Sequence, residues 1–215
     1  MNGAVAAGEC GDTLTRLVVL VSGNGSNLQA ILDACSSGML AAEVVAVFSN
    51  KARAHGLKRA EIAGVPALTC PLASGQTRQD YDAILAEGVS GFQPDWVVLA
   101  GWMRILTTAF LDRFPERVVN IHPALPGQFA GMHAIKRALR AFRDEKIAHT
   151  GVMVHLVPDE GVDSGPVLSS ERVQIMLNDD LKTLEARVHG VEHRLLIATL
   201  RDLCARGVEN ERAAI

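Results

Sequence analysis

The sequence has 215 residues, of which 48% are hydrophobic and 21% charged, a balance that supports one sizeable α/β core and excludes a disordered body. The formal net charge is −3 and Lys and Arg form no basic run, so a nucleic-acid groove is not expected. Cys10, Cys35, Cys70 and Cys204 are scattered without a C-x-x-C pair and no window reaches membrane-spanning length, which argues against a zinc or disulfide framework and a membrane partner and for a cytoplasmic protein with reduced thiols.

Residues 1–15 carry Glu9 and Asp12 and lack a basic stretch followed by a long apolar run; they read as a flexible tail rather than a secretion signal. Apolar runs then alternate with amphipathic segments. Residues 16–22 (RLVVLVS) form an expected strand, and 26–36 a helix with Leu28, Ile31, Leu32 and Cys35 on one stripe. Between them lies VSGNGSNL (21–28). Gly23 and Gly25 match the start of G-x-G-x-x-G, but Leu28 stands where the third glycine belongs, and the second strand ends in Ser49-Asn50 without an acid. A dinucleotide is therefore not expected, and no Lys follows for a nucleotide P-loop. Two accounts fit the loop: a single phosphate held by backbone amides with Ser26 or Asn27, or a tight strand-to-helix turn capped by Asn or Ser.

A second strand is expected over 44–49, a helix over 55–63 ended by Gly64-Val65-Pro66, and a short strand over 67–70. A helix over 79–87, a strand over 95–100 and a short helix over 108–113 lead to the strand 117–121. Short β-branched runs separated by helices imply parallel strands covered on both faces. The run RVVNIHPAL (117–125) closes that strand with Asn120 and His122, which as i and i+2 share a face. They sit at the C-terminal edge of a parallel sheet, where such sheets place ligands. Asn120 can donate to a developing oxyanion and His122 can move protons near neutral pH; a strand-end histidine bonded to a backbone carbonyl is the plainer account.

A helix over 132–143 precedes two strand-like runs, 150–157 and 165–174, whose spacing suggests an antiparallel pair. Their connection, PDEGVDSGP (158–166), places Asp163 among flexible residues, from which its carboxylate could reach the sheet edge and raise the pKa of His122; an Asx turn is the alternative use. Asp179 is the expected N-cap of a last helix running to about residue 200. His189 and His193 are spaced i, i+4, but no third metal ligand is evident, and no serine sits in a G-x-S-x-G elbow. The expected architecture is α/β: a single domain (16–202) with a mostly parallel twisted sheet flanked by helices and an antiparallel C-terminal portion, followed by a tail over 203–215.

SGNGSNLQAI (22–31), VFSNKARAHGLKRAEIAGVPA (47–67), PDWVVLAGWMRIL (94–106), NIHPAL (120–125) and DEGVDSGPVL (159–168) together resemble the glycinamide ribonucleotide formyltransferase family, over most of residues 16–200. The resemblance implies a Rossmann-like formyltransferase fold. It also implies direct transfer of formyl from 10-formyltetrahydrofolate to the amine of glycinamide ribonucleotide in purine biosynthesis, with small-molecule partners and without a metal. By likeness, Asn120, His122 and Asp163 are catalytic, and Gly25, Ser26, Asn27, His189 and Glu192 hold the ribonucleotide. Arg78, Met103, Arg104, Ile105, Leu106, Asn120, Asp159, Glu160, Gly161 and Val162 line the folate site. Without the resemblance, Met103, Ile105 and Leu106 would read as core, and a homodimer is compatible with it. Two departures stand out. After NIHP the family usually reads Ser-Leu-Leu-Pro, whereas here Ala124-Leu125-Pro126-Gly127 puts the proline one place earlier, and Gly161 looks like an insertion. Three rivals are weighed: methionyl-tRNA formyltransferase, expected to carry a further RNA-binding domain; formyltetrahydrofolate deformylase, expected to carry a regulatory one; and a non-catalytic nucleotide-binding module.

Overall fold

In a computed structural model that describes residues 14–213, the apolar runs become the middle of a seven-stranded sheet in the order β3-β2-β1-β4-β5-β6-β7. The strands are β1 Thr15–Val21, β2 Ala42–Ser49, β3 Ala67–Thr69, β4 Trp96–Leu99, β5 Val118–His122, β6 His149–Leu156 and β7 Val167–Gln174. The first five pair in parallel, and β6 and β7 run antiparallel to their neighbours. β1 shows why: from Leu17 to Val21 every residue is fully buried, so the strand needs cover on both faces.

That cover comes from helices α1 (Ser26–Ser36), α2 (His55–Ile62), α3 (Arg78–Ser90), α4 (Thr108–Leu111), α5 (Ala134–Arg143) and α6 (Leu181–Ala213). Leu17, Val19 and Val21 face a core completed by Leu28 and Ile31 of α1, Leu139 of α5 and Leu184 and Leu196 of α6. Val18 and Leu20 face the opposite core, with Tyr81 and Leu85 of α3 and Phe110 of α4. The period of two along one strand thus separates the two helical layers. After β3 the chain crosses to the far side of β1 to form β4. The order of connection reverses there, which leaves a crevice at the C-terminal ends of β1 and β4.

The α/β architecture matches the expectation, with three corrections at the C-terminal end. α6 does not stop near residue 200. It continues to Ala213, and Leu203 and Cys204 are buried. The cap of α6 is Asp180 rather than Asp179: Asp180 Oδ1 accepts the Thr183 amide at 2.7 Å and Thr183 Oγ1 accepts the Asp180 amide at 3.0 Å, a reciprocal box that ties two otherwise free donors. The helix over 132–143 begins at Ala134, because Gly131 and His133 take left-handed backbone, φ 78° and 59°. Residues 1–13, which include Cys10 and nearly all of the expected N-terminal tail, lie outside the described residues; Cys35, Cys70 and Cys204 are free thiols.

Asp179, displaced from the cap, has a different task. Arg187 grips it with two nitrogens at 2.6 and 2.8 Å, and it also accepts the Met176 amide at 2.8 Å. Its carboxyl is held down to about 2, chiefly by Arg187 against the opposing effect of burial. A carboxylate whose folded pKa is depressed stabilises the fold above its unfolded value and loses that contribution as pH falls through the folded one. Arg187→Met should therefore cost about 1–2 kcal/mol near neutral pH, and the difference from the parent should shrink between about pH 4 and pH 2. Urea unfolding across that range reads both effects.

Candidate active site

The C-terminal ends of β1, β4 and β5 open into a cavity of about 1200 Å³. At one end lies the 23–27 loop. Gly25 is the N-cap of α1 at φ 76°, and no side chain caps the helix. The capped-turn account of this loop is thereby excluded, and the first-turn amides of α1 are left free to meet an anion. The loop is fixed from behind by α2: Gly56 donates to Gly23 O at 3.1 Å, and Arg59 donates to Asn24 O at 2.9 Å and to Asn24 Oδ1 at 3.0 Å. A Cβ on Gly25 would stand 2.7 Å from Gly56 Cα, whereas one on Gly56 would meet the Val21 side chain at 2.8 Å, so the close approach of the two backbones needs glycine at 25. Asn50, where a dinucleotide site would carry an acid, instead accepts the Ser22 hydroxyl at 2.7 Å, and Ser22 Oγ accepts the Met103 amide at 2.9 Å.

At the centre, Asn120, His122 and Asp163 converge. Asp163 comes from the 158–166 loop in left-handed backbone, φ 50°, a conformation that aspartate tolerates better than most residues. Its Oδ2 lies 3.2 Å from His122 Nδ1 and accepts the Gly131 amide at 2.7 Å. Its Oδ1 accepts Asn120 Nδ2 at 3.1 Å. The Asx turn that Asp163 might have made belongs to Asp159, which accepts the Gly161 amide at 2.7 Å. The other face of the His122 ring meets a carbonyl: Nε2 is 3.2 Å from Phe129 O.

His155 completes the group, and sequence reasoning missed it. It lies on β6 directly across from Asn120 in the antiparallel register. Its Nδ1 donates to Leu156 O at 2.8 Å, which leaves Nε2 as an acceptor for Asn120 Nδ2 at 3.1 Å. Nε2 also stands 3.5 Å from Asp163 Oδ1. Only the register of β5 against β6 reveals this contact, since the two residues are 35 apart in sequence.

The charge state of His122 departs from expectation. Asp163 does favour the imidazolium, but burial of the ring is the larger effect, and Arg137 and His155 add to it; the pKa lies below its ordinary value. Two facing acceptors, Asp163 and Phe129 O, suit a cation, while the dry surroundings oppose one. Desolvation prevails because only 5% of the residue is exposed. Asp163 is also shifted down: burial would raise its pKa, but the neighbouring imidazoles of His155 and His122 and the bond from the Gly131 amide together hold it below the ordinary range.

At the end of the cavity beside α6, buried Glu192 accepts from His189 Nδ1 at 2.5 Å. This bond raises the His189 pKa against the pull of burial. His193 does not join them as a ligand. Its Nε2 is buried without a partner, burial lowers its pKa, and among the described residues no group of three or more His, Cys, Asp or Glu is arranged to hold a metal ion.

On the opposite wall, the 103–106 strip divides. Leu106 is core, at 2% exposure, whereas Met103 and Ile105 are 58% and 44% exposed, beside Met132 and Val162. Exposed apolar side chains grouped around one mouth mark a binding surface. Arg104 stacks over the Tyr81 ring at 4.6 Å. Asp82, buried behind the strip, accepts the Thr107 amide at 2.7 Å, a second positioning group that sequence did not reveal. Arg78 reaches Ile105 O at 3.3 Å. Gly25, Ser26, Asn27, Arg78, Met103, Arg104, Ile105, Leu106, Asn120, His122, Asp159, Gly161, Val162, Asp163, His189 and Glu192 all line the cavity. Glu160 does not; its carboxylate bonds the Thr108 amide at 3.3 Å and Arg78 at 3.4 Å.

A doubly wound sheet whose C-terminal edge opens into one cavity, with a buried Asn-His-Asp group and an apolar mouth, fits a formyl-group transferase, and residues 15–200 match the formyl transferase family model; the chain belongs to that family. Its relatives narrow the likeness further. It is 43% identical over 199 residues to the phosphoribosylglycinamide formyltransferase of Schizosaccharomyces pombe, covering 87% of this chain and 96% of that one. It is 42% identical over 180 residues to part of the trifunctional purine biosynthetic protein adenosine-3 of Drosophila melanogaster, covering 83% of this chain and 13% of that one. The crystal structure of glycinamide ribonucleotide transformylase 1 from Symbiobacterium toebii superposes with a TM-score of 0.82 at 39% identity, covering 87% of this chain and 86% of that one.

Replacing Asp163 by Asn removes the one group whose charge supports the His122 cation. The His122 titration, followed by the ring proton NMR signals, should then move to still lower pH than in the parent.

Proposed function

We propose that this chain transfers the formyl group of 10-formyltetrahydrofolate to the amine of glycinamide ribonucleotide, in cytoplasmic purine biosynthesis. The observation that carries the reading is the sharing of one cavity: the free amides of α1, the Glu192 carboxylate and the Asn120-His122-Asp163 group all open into it. A hydrolase needs a place for water only, while here an anion site and a buried acid flank the reactive centre, as a phosphorylated amine requires. A binding module would have no use for the central three.

In this reading the amides of Gly25, Ser26 and Asn27 hold the ribonucleotide phosphate, and Glu192 with His189 orients its amine. Arg78, the 103–106 strip, Asn120, Asp159, Gly161 and Val162 hold the folate, with Met103, Ile105 and Val162 supplying apolar contact for a flat ring. Glu160 acts by fixing Arg78 and the start of α4.

The neutral amine attacks the formyl carbon, and the carbonyl oxygen takes up negative charge as a tetrahedral centre forms. In the ligand-free site Asn120 Nδ2 lies against His155 Nε2 and Asp163 Oδ1, and His122 Nε2 faces the Phe129 carbonyl. A charged oxygen attracts an N–H about twice as strongly as a neutral one, so bonds from Asn120 and from a protonated His122 to the formyl oxygen strengthen as it takes up charge and favour the transition state over the ground state. The arriving negative charge also raises the His122 pKa, and Asp163 stabilises the resulting cation. The tetrahedral centre collapses as the bond from carbon to the folate nitrogen breaks; the amine loses its extra proton and the departing nitrogen gains one. The product is the formylated amide and tetrahydrofolate.

The absorbance change of 10-formyltetrahydrofolate, with and without glycinamide ribonucleotide, tests the reading. Turnover should require the amine; turnover without it would identify a deformylase instead. His122→Ala should lower kcat by about 10²–10⁴-fold and leave folate binding intact by fluorescence titration. Gly25→Ala, whose Cβ would press on Gly56, should raise KM for the ribonucleotide by about tenfold or more and change KM for folate little.

A further inference from the structure

We infer that Arg137 is a positioning residue for the transfer reaction, holding the backbone of residues 129–131 so that Nε2 of the protonated His122 is free to turn from the Phe129 carbonyl to the reacting oxygen. Arg137 lies on the exposed face of α5, one turn into the helix. An arginine in such a place normally extends into water. This one folds back: Nη2 contacts the Phe129 carbonyl, the Ala130 carbonyl at 2.6 Å and the Gly131 carbonyl at 3.4 Å, and its guanidinium lies 5.9 Å from the Phe129 ring centre.

The clamped segment is the one that touches the reactive group from two sides. The Phe129 carbonyl meets His122 Nε2, and the Gly131 amide is bonded to Asp163. The segment does not hold itself in shape. Phe129 has φ 46°, in the left-handed region that a bulky residue avoids, and Gly127 and Gly131 are also left-handed. Its backbone needs an external tie, and α5 supplies it.

The clamp also solves a problem of competition. When His122 donates to the reacting oxygen, the Phe129 carbonyl loses a partner, and a half-buried acceptor left unpaired is costly. Arg137 already donates to that carbonyl and keeps it satisfied, so the histidine leaves at little cost. The charged groups around the ring are Asp163 from the 158–166 loop, His155 from β6 and Arg137 from α5. Removing Arg137 takes away a neighbouring cation and leaves Phe129 O entirely to His122; both changes favour the imidazolium and tie its Nε2 proton more tightly.

Steady-state kinetics and His122 ring titration by NMR, on Arg137→Gln and Arg137→Lys beside the parent, test the inference. The expected result for Arg137→Gln is a kcat lower by about tenfold or more, KM for both substrates within about threefold, and a higher His122 titration midpoint. Arg137→Lys, with a single donor head, should fall between. An unchanged kcat, or a lower kcat without a rise in the midpoint, overturns the role. The kinetic arm rests on the formyl-transfer reading, whereas the titration does not. A parent that transfers no formyl group defeats that reading, and the midpoint alone then decides the place of Arg137. Should Arg137→Gln fail to fold, Arg137→Lys with both readouts decides by the same criteria.

Discussion

One carboxylate organises the reactive end of this molecule. Asp163 accepts from Asn120 on β5 and from the Gly131 amide before α5, and its two oxygens stand beside His122 and His155. A half-buried charge is tolerable only with several partners, and these four are drawn from segments far apart in the chain. Each of them is oriented in turn by the charge it serves. The amide of Asn120, the ring of His122 and the loop ahead of α5 have defined positions because the same two oxygens attract them all.

The sheet around this point explains why such a group can form. Parallel strands with both faces covered are rigid and bring their C-terminal ends to one edge. β5 is the last parallel strand, and β6 returns antiparallel against it. Asn120 and His122 therefore have a parallel neighbour on one side and an antiparallel one on the other. The antiparallel partner places His155 opposite Asn120, and the loop leaving β6 carries Asp163. The change in strand direction, rather than any single motif, assembles the reactive group.

Much of this was legible in the sequence. Buried strands such as β1 announce themselves as unbroken apolar runs, and the phosphate-type loop, Asn120, His122 and Asp163 stood out by residue type and place. What escaped reading depends on geometry between distant segments. His155 looked like an ordinary strand residue until the β5–β6 register set it against Asn120. Asp82, Arg137 and Glu160 are charged residues whose partners are largely backbone groups of other segments, and no spacing rule reveals such pairs. The order of Asp179 and Asp180 at the cap was misjudged because Arg187, eight residues on, claims the first of them. The effect of Asp163 on the His122 pKa was legible but the net shift was not, because a sequence shows charged neighbours but not how dry the ring is.

The contact of Gly25 with Gly56 has a further consequence. Two main chains meet there with no side chain between them, so the strand-to-helix turn and the start of α2 behave as one mechanical part. Bulk at Gly25 would press on α2, and bulk at Gly56 would press on β1 through Val21. Substitutions that reshape this end of the cavity without moving its backbone are therefore left to the side chains of α6 and the rim of the opposite wall.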